Sequence, residues 1–276
     1  MTENSSQDLQ GKNFFRYPKI WLSLLRNCFL RQSEFKLDFV GRLLVELVWI
    51  GTQIVFYKST FQFVSHLGSW SEADIWFFVA TLILVDSLNM IFFHDNINRF
   101  GQVIKLGLLD FYLLYPLSLR FLCLLRFVNV VSIVNIFCGI GVMIYALNLL
   151  PTPLSVFQIL TWFLYTGLGA LMIGLLASCI CAVAFWTTQS TNLVWFFYEL
   201  YRLAHRPENL YAPWLRRILL SAFPAAFFIS IPVQLTLKKL DTPFWFIAPF
   251  LVLGALLLIS KILWTNGVKR YEGALS

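Results

Sequence analysis

Five long apolar stretches, at 39–57, 75–93, 121–147, 156–186 and 244–264, are separated by shorter segments that hold most of the charges. Each supplies the ~20 residues that a helix needs to cross a hydrocarbon core. The fourth is longer than a crossing requires, so it must tilt, break or protrude. Between 187 and 243 the pattern admits two readings. In one, 217–235 is the fifth span and 187–213 is a loop. In the other, the fifth span runs from about 187 to 203, and 214–235 dips into the membrane and returns. Pro224 and Pro232 favour the second, because each removes a backbone donor and breaks a helix. Both readings predict an all-α polytopic membrane protein with six spans and both termini on one side.

Ahead of the first span, residues 13–38 set Phe14, Phe15, Ile20, Trp21, Leu24, Leu25, Phe29 and Leu30 at helical spacing. The cations Arg16, Lys19, Arg26, Arg31 and Lys36 lie mostly on the rest of the wheel. This predicts an amphipathic helix lying on the cytosolic leaflet. The first dozen residues, MTENSSQDLQGK, lack an apolar h-region, so no removable signal peptide is expected. The domain reading is a cytosolic tail and amphipathic helix over 1–38, a transmembrane domain over 39–264 with its main cytosolic loop at 94–120, and a tail over 265–276.

Composition agrees with lipid as the solvent: 59% of residues are hydrophobic and 13% charged, where soluble domains run nearer half and a quarter. The net charge of +7 argues for no nucleic-acid partner, because the cations flank apolar runs as the positive-inside rule places them. Of 21 basic residues, the first reading leaves only Lys58, Lys238 and Lys239 outside. The second adds Arg202, Arg206, Arg216 and Arg217, giving 14 inside against 7. The rule therefore prefers the first reading and permits both.

Catalytic chemistry has no visible home. There is no P-loop, no H-E-x-x-H and no G-x-S-x-G. Cys28, Cys123, Cys138, Cys179 and Cys181 form no C-x-x-C pair and read as small buried hydrophobes. His66, His94 and His205 are far apart and read as solvated loop residues, not a metal site. Within the spans, Arg42 and Glu46 are four apart, which suits an ion pair at the helix end, a substrate role being the alternative. Asp86 and Asn89 share a helix face that must point to the bundle interior or a cavity, as structural hydrogen-bonding groups or as part of a translocation path. Asn129 and Asn135 read as interhelical glue. Gly167, Gly169 and Gly174 read as close-packing positions.

The most informative segment is 106–117, LGLLDFYLLYPL. It sets one acid, Asp110, between the breakers Gly107 and Pro116 in an apolar and aromatic body. Tyr112, Leu113, Leu114 and Pro116, following Leu109, are unusually apolar for a solvated loop, which points to a protein partner, with the membrane surface as the alternative.

With this segment read from Ile104 as I-K-x-G-x-L-D-x-x-L-L-x-P-L, the chain resembles the membrane subunits of bacterial type-2 ABC exporters, in the branch whose ATPase is a separate chain. The resemblance extends through Phe185-Trp186, the YAPWLR run from Tyr211 to Arg216, the FPAAF run from Phe223 to Phe227, Pro232, Trp264, Gly267 and the KRYEG run at 269–273. Tyr115 departs from it, standing where many relatives carry a basic residue. The resemblance implies a permease in a bacterial cytoplasmic membrane, working as a dimer with itself or a similar permease. Two ATPase subunits would carry the ATP and Mg, with no cofactor on this chain. Residues 107–116 would be the coupling helix, and 207–235 a re-entrant hairpin after a fifth span near 187–204. Asp86, Asn89 and Glu46 are the candidates for a path taken by an apolar or amphipathic substrate. An ion-coupled transporter using these carboxylates is the alternative.

Overall fold

The computed structural model describes residues 16–187, 190–240 and 242–271. The tail over 1–12, with Lys12, Phe14 and Phe15, and Glu272 and Gly273 of the last motif lie outside them. Helix α1 (Arg16–Glu34) is the expected amphipathic helix: Trp21, Leu25 and Cys28 pack on Ile91, Phe92, Val128 and Val130. After Phe35 the chain turns into α2 (Lys36–Phe61). A two-residue hairpin, β1 (His66–Leu67) paired with β2 (Trp70–Ser71), turns on Gly68 at φ +61° and leads into α3 (Glu72–Asn89). Ser71 and Asp74 close a capping box at its start.

The second apolar stretch does not end at 93. A π turn at Met90–His94 carries α3 into α4 (Asp95–Lys105), one helical run of 34 residues. At 1.5 Å per residue it is about 50 Å long, well beyond a ~30 Å hydrocarbon core. The predicted loop at 94–120 is therefore helical for its first half. Ile97, Phe100 and Val103 are buried at a spacing of three, a helical period that the intervening polar residues disguise.

The expected third span at 121–147 is also corrected. It divides into α6 (Leu119–Leu125) and α7 (Ile133–Leu149), with an irregular stretch over 126–132. Side chains from other helices satisfy that backbone. Asn96 accepts from the Phe127 amide at 2.8 Å and donates to the Phe127 carbonyl at 2.7 Å. Gln32 does the same for the Val130 amide and the Val128 carbonyl, at 3.1 and 2.8 Å. Buried backbone must be paired, and these two amides take the place of the helical ladder.

Helix α8 (Val156–Val183) packs along α12 (Phe244–Arg270), which runs past the predicted end at 264. Between them lie α9 (Ser190–Tyr201), a 3-10 turn at Arg202–His205, α10 (Pro213–Leu220) and α11 (Ser230–Thr236). No single helix crosses 217–235. The chain turns at 221–224, Pro224 precedes a 3-10 turn, and Pro232 sits in the first turn of α11. Among the described residues four helices are long and apolar enough to cross a membrane: α2, α3 with α4, α8 and α12. Helices α7 and α9, at 17 and 12 residues, fall short of that length.

Helix α11 is buried throughout and lies against α8. Gly169 makes that approach possible, since a Cβ there would stand 2.4 Å from the Phe228 carbonyl oxygen. Gly174 similarly faces the Phe93 ring, whereas Gly167, expected to pack closely, faces open space. Gly169→Ala should cost about 1–3 kcal/mol by overpacking, while Gly167→Ala should be neutral or mildly stabilising. Thermal unfolding of the two purified variants side by side checks this contrast.

Candidate functional site

The segment at 106–117 sits beyond the far end of α4. Gly107, at φ +66°, terminates α4 with the Leu108 amide donating to Val103 O (3.0 Å) and the Gly107 amide to Ile104 O (3.1 Å). This is the pairing of a Schellman cap, whose left-handed residue is best filled by glycine. The chain reverses into α5 (Leu109–Leu113). Leu109 and Tyr112, three apart, point inward and are buried. The Arg126 guanidinium lies 4.7 Å from the Tyr112 ring centre. Burial pushes the Tyr112 phenol above its ordinary pKa, with Arg126 acting against it.

The opposite side of α5 is an apolar ledge. Phe111, Leu113, Leu114 and Tyr115 are all more than half exposed, with Leu114 at 81%, and Pro116 is exposed beside them. Asp110 is half-buried at the margin. Burial raises the Tyr271 phenol's pKa, and the Asp110 carboxylate adds to the rise.

An aromatic brace supports the ledge from behind. Phe100 of α4 packs on Phe185 and Trp264, with ring centres 5.7 and 5.8 Å apart, and Phe185 meets Tyr271 at 6.2 Å. Gly267 admits the Phe185 ring, which a Cβ would meet at 2.5 Å. Trp264 also donates to Ser178 Oγ at 2.7 Å. Residues scattered through the resemblance motifs thus converge on one cluster that ties α4 to α8 and α12. Tyr17 of α1 joins at the far side, accepting from the Ser118 amide at 3.3 Å and packing on Phe121.

The intramembrane polar residues gather elsewhere. A cavity of about 620 Å³ lies between α2 and α9, with Glu46, Trp49, Tyr57, Asp86, Tyr201 and Arg206 among its walls. A second, of about 600 Å³, is lined by Asp38, Arg42, His94, Asp95 and Asn129 and shares Glu46 with the first. Glu46 does not pair with Arg42, which reaches back one turn to Asp38 at 2.9 Å. Its carboxylate instead accepts from Asn135 (2.7 Å) and Ser132 (3.2 Å), so Asn135 does join two helices. Asn129 lies in the irregular stretch, its amide donating to Ile91 O. Asp86 accepts from the Tyr201 hydroxyl at 3.2 Å. The structure therefore sets Asp86 and Glu46 on one cavity, but not Asn89, which is buried with both amide atoms unpartnered among the described residues.

Two histidines differ from the solvated residues expected. His94 packs on Tyr198, and His205 on Trp49 and Tyr201. Sequence reasoning also missed Glu208. This carboxylate is buried, accepts from Ser230 Oγ and from Gln234 Nε2 of α11, and pairs with Arg216 of α10 at 3.6 Å. No spacing rule links position 208 to 230 and 234, and its neighbours Arg206, Pro207 and Asn209 read as an ordinary polar loop.

The family model described as "ABC-2 family transporter protein" matches residues 47–274. Comparison with curated proteins gives no match, and comparison with solved structures gives none either.

Proposed function

The chain belongs to the ABC-2 transporter family, and on that premise we propose that it is the permease subunit of an ATP-driven exporter, coupled to a separate ATPase through the ledge on α5. Membership and four crossing-length apolar helices make it a multi-pass membrane protein and an ABC transporter permease, and members of the family work with an ATPase subunit. The observation that carries the finer reading is the ledge itself. A five-residue helix beyond the apolar core exposes Phe111, Leu113 and Leu114 while Leu109 and Tyr112 are buried behind it. Apolar side chains so presented suit burial by a protein partner.

In this reading ATP and Mg reside on the ATPase, and 107–116 receives its movement. The membrane is the bacterial cytoplasmic membrane, with the ledge and both termini, 1–38 and 265–276, on the cytosolic side. Six crossings of the 39–264 domain would include α7 and α9 with the turns that extend them, and α10 with α11 would form the re-entrant hairpin around Pro224 and Pro232. A second permease, identical or similar, would meet the exposed faces of α2 and α9. An apolar or amphipathic substrate would pass at that interface, along the Glu46 and Asp86 wall, with Asn89 behind it.

Co-expression of the tagged chain with candidate ATPases provides the test. A wild-type complex is expected to co-purify and hydrolyse ATP, and Asp110→Arg and Pro116→Ala should dissociate or uncouple it. A second reading, ion-coupled transport, draws on two carboxylates that share a cavity with no cation paired to either among the described residues. Solute movement driven by a proton gradient, with no ATPase bound, would select it over the exporter.

A further inference from the structure

A groove of about 710 Å³ opens between α1 and the start of α7. Its walls include Leu22, Phe29, Phe39, Ile133 and Val134, and its one charged residue is Arg26. The groove occupies the corner where the chain turns from the amphipathic helix α1, through Phe35, into the crossing helix α2. That corner belongs at the boundary between headgroups and acyl chains, because α1 is amphipathic and α2 is long and apolar enough to cross. The apolar face of α1 is wider than its packing needs. Trp21, Leu25 and Cys28 satisfy the protein contact, yet Leu22 and Phe29 remain at least half exposed one step around the helix. Arg26 is exposed at the rim and makes no ion pair with any described residue. The cations of α1 are Arg16, Lys19, Arg26 and Arg31, against the single acid Glu34. Arg31 is engaged over the Phe127 ring, which leaves Arg26 as the groove's own charge.

We infer that this groove is a seat for one anionic phospholipid, its acyl chain against Phe29, Phe39 and Val134 and its phosphate on Arg26. An apolar trough with a single cation in its lining matches a molecule with an apolar tail and an anionic head. Seated there, the lipid would wedge α1 against α7 and hold the irregular stretch at 126–132 that Gln32 clamps. The inference requires the chain to lie in a membrane and is independent of any ATPase.

Native mass spectrometry of the full chain, delipidated in detergent and titrated with phosphatidylglycerol or phosphatidylcholine, tests it. The wild type should retain one phosphatidylglycerol about fivefold more tightly than phosphatidylcholine, the preference expected for one basic residue at an anionic lipid. Excess inorganic phosphate should not displace it, since the acyl chain supplies the remaining contact. Arg26→Gln, an exposed change that should not disturb folding, should erase the preference and leave phosphatidylcholine retention unchanged. Val134→Trp should fill the trough and abolish retention of both. Equal retention of the two lipids by the wild type would overturn the proposal, as would an unaltered preference in Arg26→Gln. So would Val134→Trp changing the oligomeric state with no bound lipid in the wild type, which would make the groove an interface between copies.

Discussion

Glu208→Ala is expected to lower the stability of the chain more than any single change at its surface, by about 2–5 kcal/mol. The carboxylate is 2% exposed and is the common acceptor for Ser230 and Gln234, both buried on α11. Removing it strands the buried Ser230 hydroxyl proton and leaves the Gln234 amide only Ser230 O and Oγ, and a buried donor without its acceptor costs about 1–3 kcal/mol. Arg216 is the lesser member of the cluster. Its side chain is 42% exposed and its Nη2 lies 3.6 Å away, too far for a strong hydrogen bond, while Glu208 keeps the bonds from Ser230 and Gln234, so Arg216→Ala should cost about 1 kcal/mol. The asymmetry separates a buried acceptor from the half-exposed cation beside it. Thermal unfolding in one detergent should show a midpoint drop of about 10 °C for Glu208→Ala and little for Arg216→Ala; equal drops would mean that the ion pair, not the buried acceptor, holds the hairpin. Glu208→Gln keeps an acceptor oxygen and should fall between them.

The consequence reaches beyond stability, because Glu208 fixes a helix that Gly169 admits against α8. Near it, Trp70 donates to Asn209 at 2.7 Å, and Lys239 bonds Asp74 at 2.6 Å over the Trp70 ring. The β1–β2 turn, the 3-10 turn at Glu208–Leu210 and the end of α11 thus form one polar clasp at the opposite end of α3 from the ledge.

What the sequence revealed and what it concealed follow from the same physics. The amphipathic α1 was legible because its apolar spacing is helical and its cations are segregated. The apolar stretches of α2, α8 and α12 were legible because composition alone suffices for a lipid-solvated helix. The extension through α4 was hidden, since Ile97, Phe100 and Val103 alternate with Asp95, Asn98 and Arg99, and polar density masked the period. The break at 126–132 was hidden for another reason. An apolar run looks continuous whether its backbone bonds to itself or to Asn96 and Gln32, which lie 31 positions from Phe127 and 98 from Val130. Glu46 was found, but its partner was misread: sequence spacing offered Arg42, while the fold supplied Asn135 from a distant helix. At the ledge the composition marked an apolar segment between breakers, but only the turn at Gly107 reveals which side chains face outward.

That division of faces leads to the remaining large effect. The double change Phe111→Arg with Leu114→Arg should abolish association with the ATPase while leaving the permease folded and in the membrane. Both side chains are mostly exposed, at 62% and 81%, and touch nothing that the fold requires, so the stability cost should stay near ~0.5 kcal/mol per site. An ATPase that buries them would gain about 1.5–3 kcal/mol from each. Losing both should weaken the complex about a hundredfold or more, before the cost of desolvating two guanidinium groups is added. Leu109→Ala is the instructive opposite. That side chain is fully buried behind the ledge, and its removal should cost about 2–5 kcal/mol of fold stability as well as misplacing α5. Quantitative co-purification, paired with thermal unfolding of the permease alone, resolves the two classes: a lost partner with an unchanged midpoint for the double arginine variant, and a lowered midpoint for Leu109→Ala. If the double arginine variant retains the ATPase at wild-type stoichiometry, the ledge is not the docking surface, and the partner must grip the permease at another face.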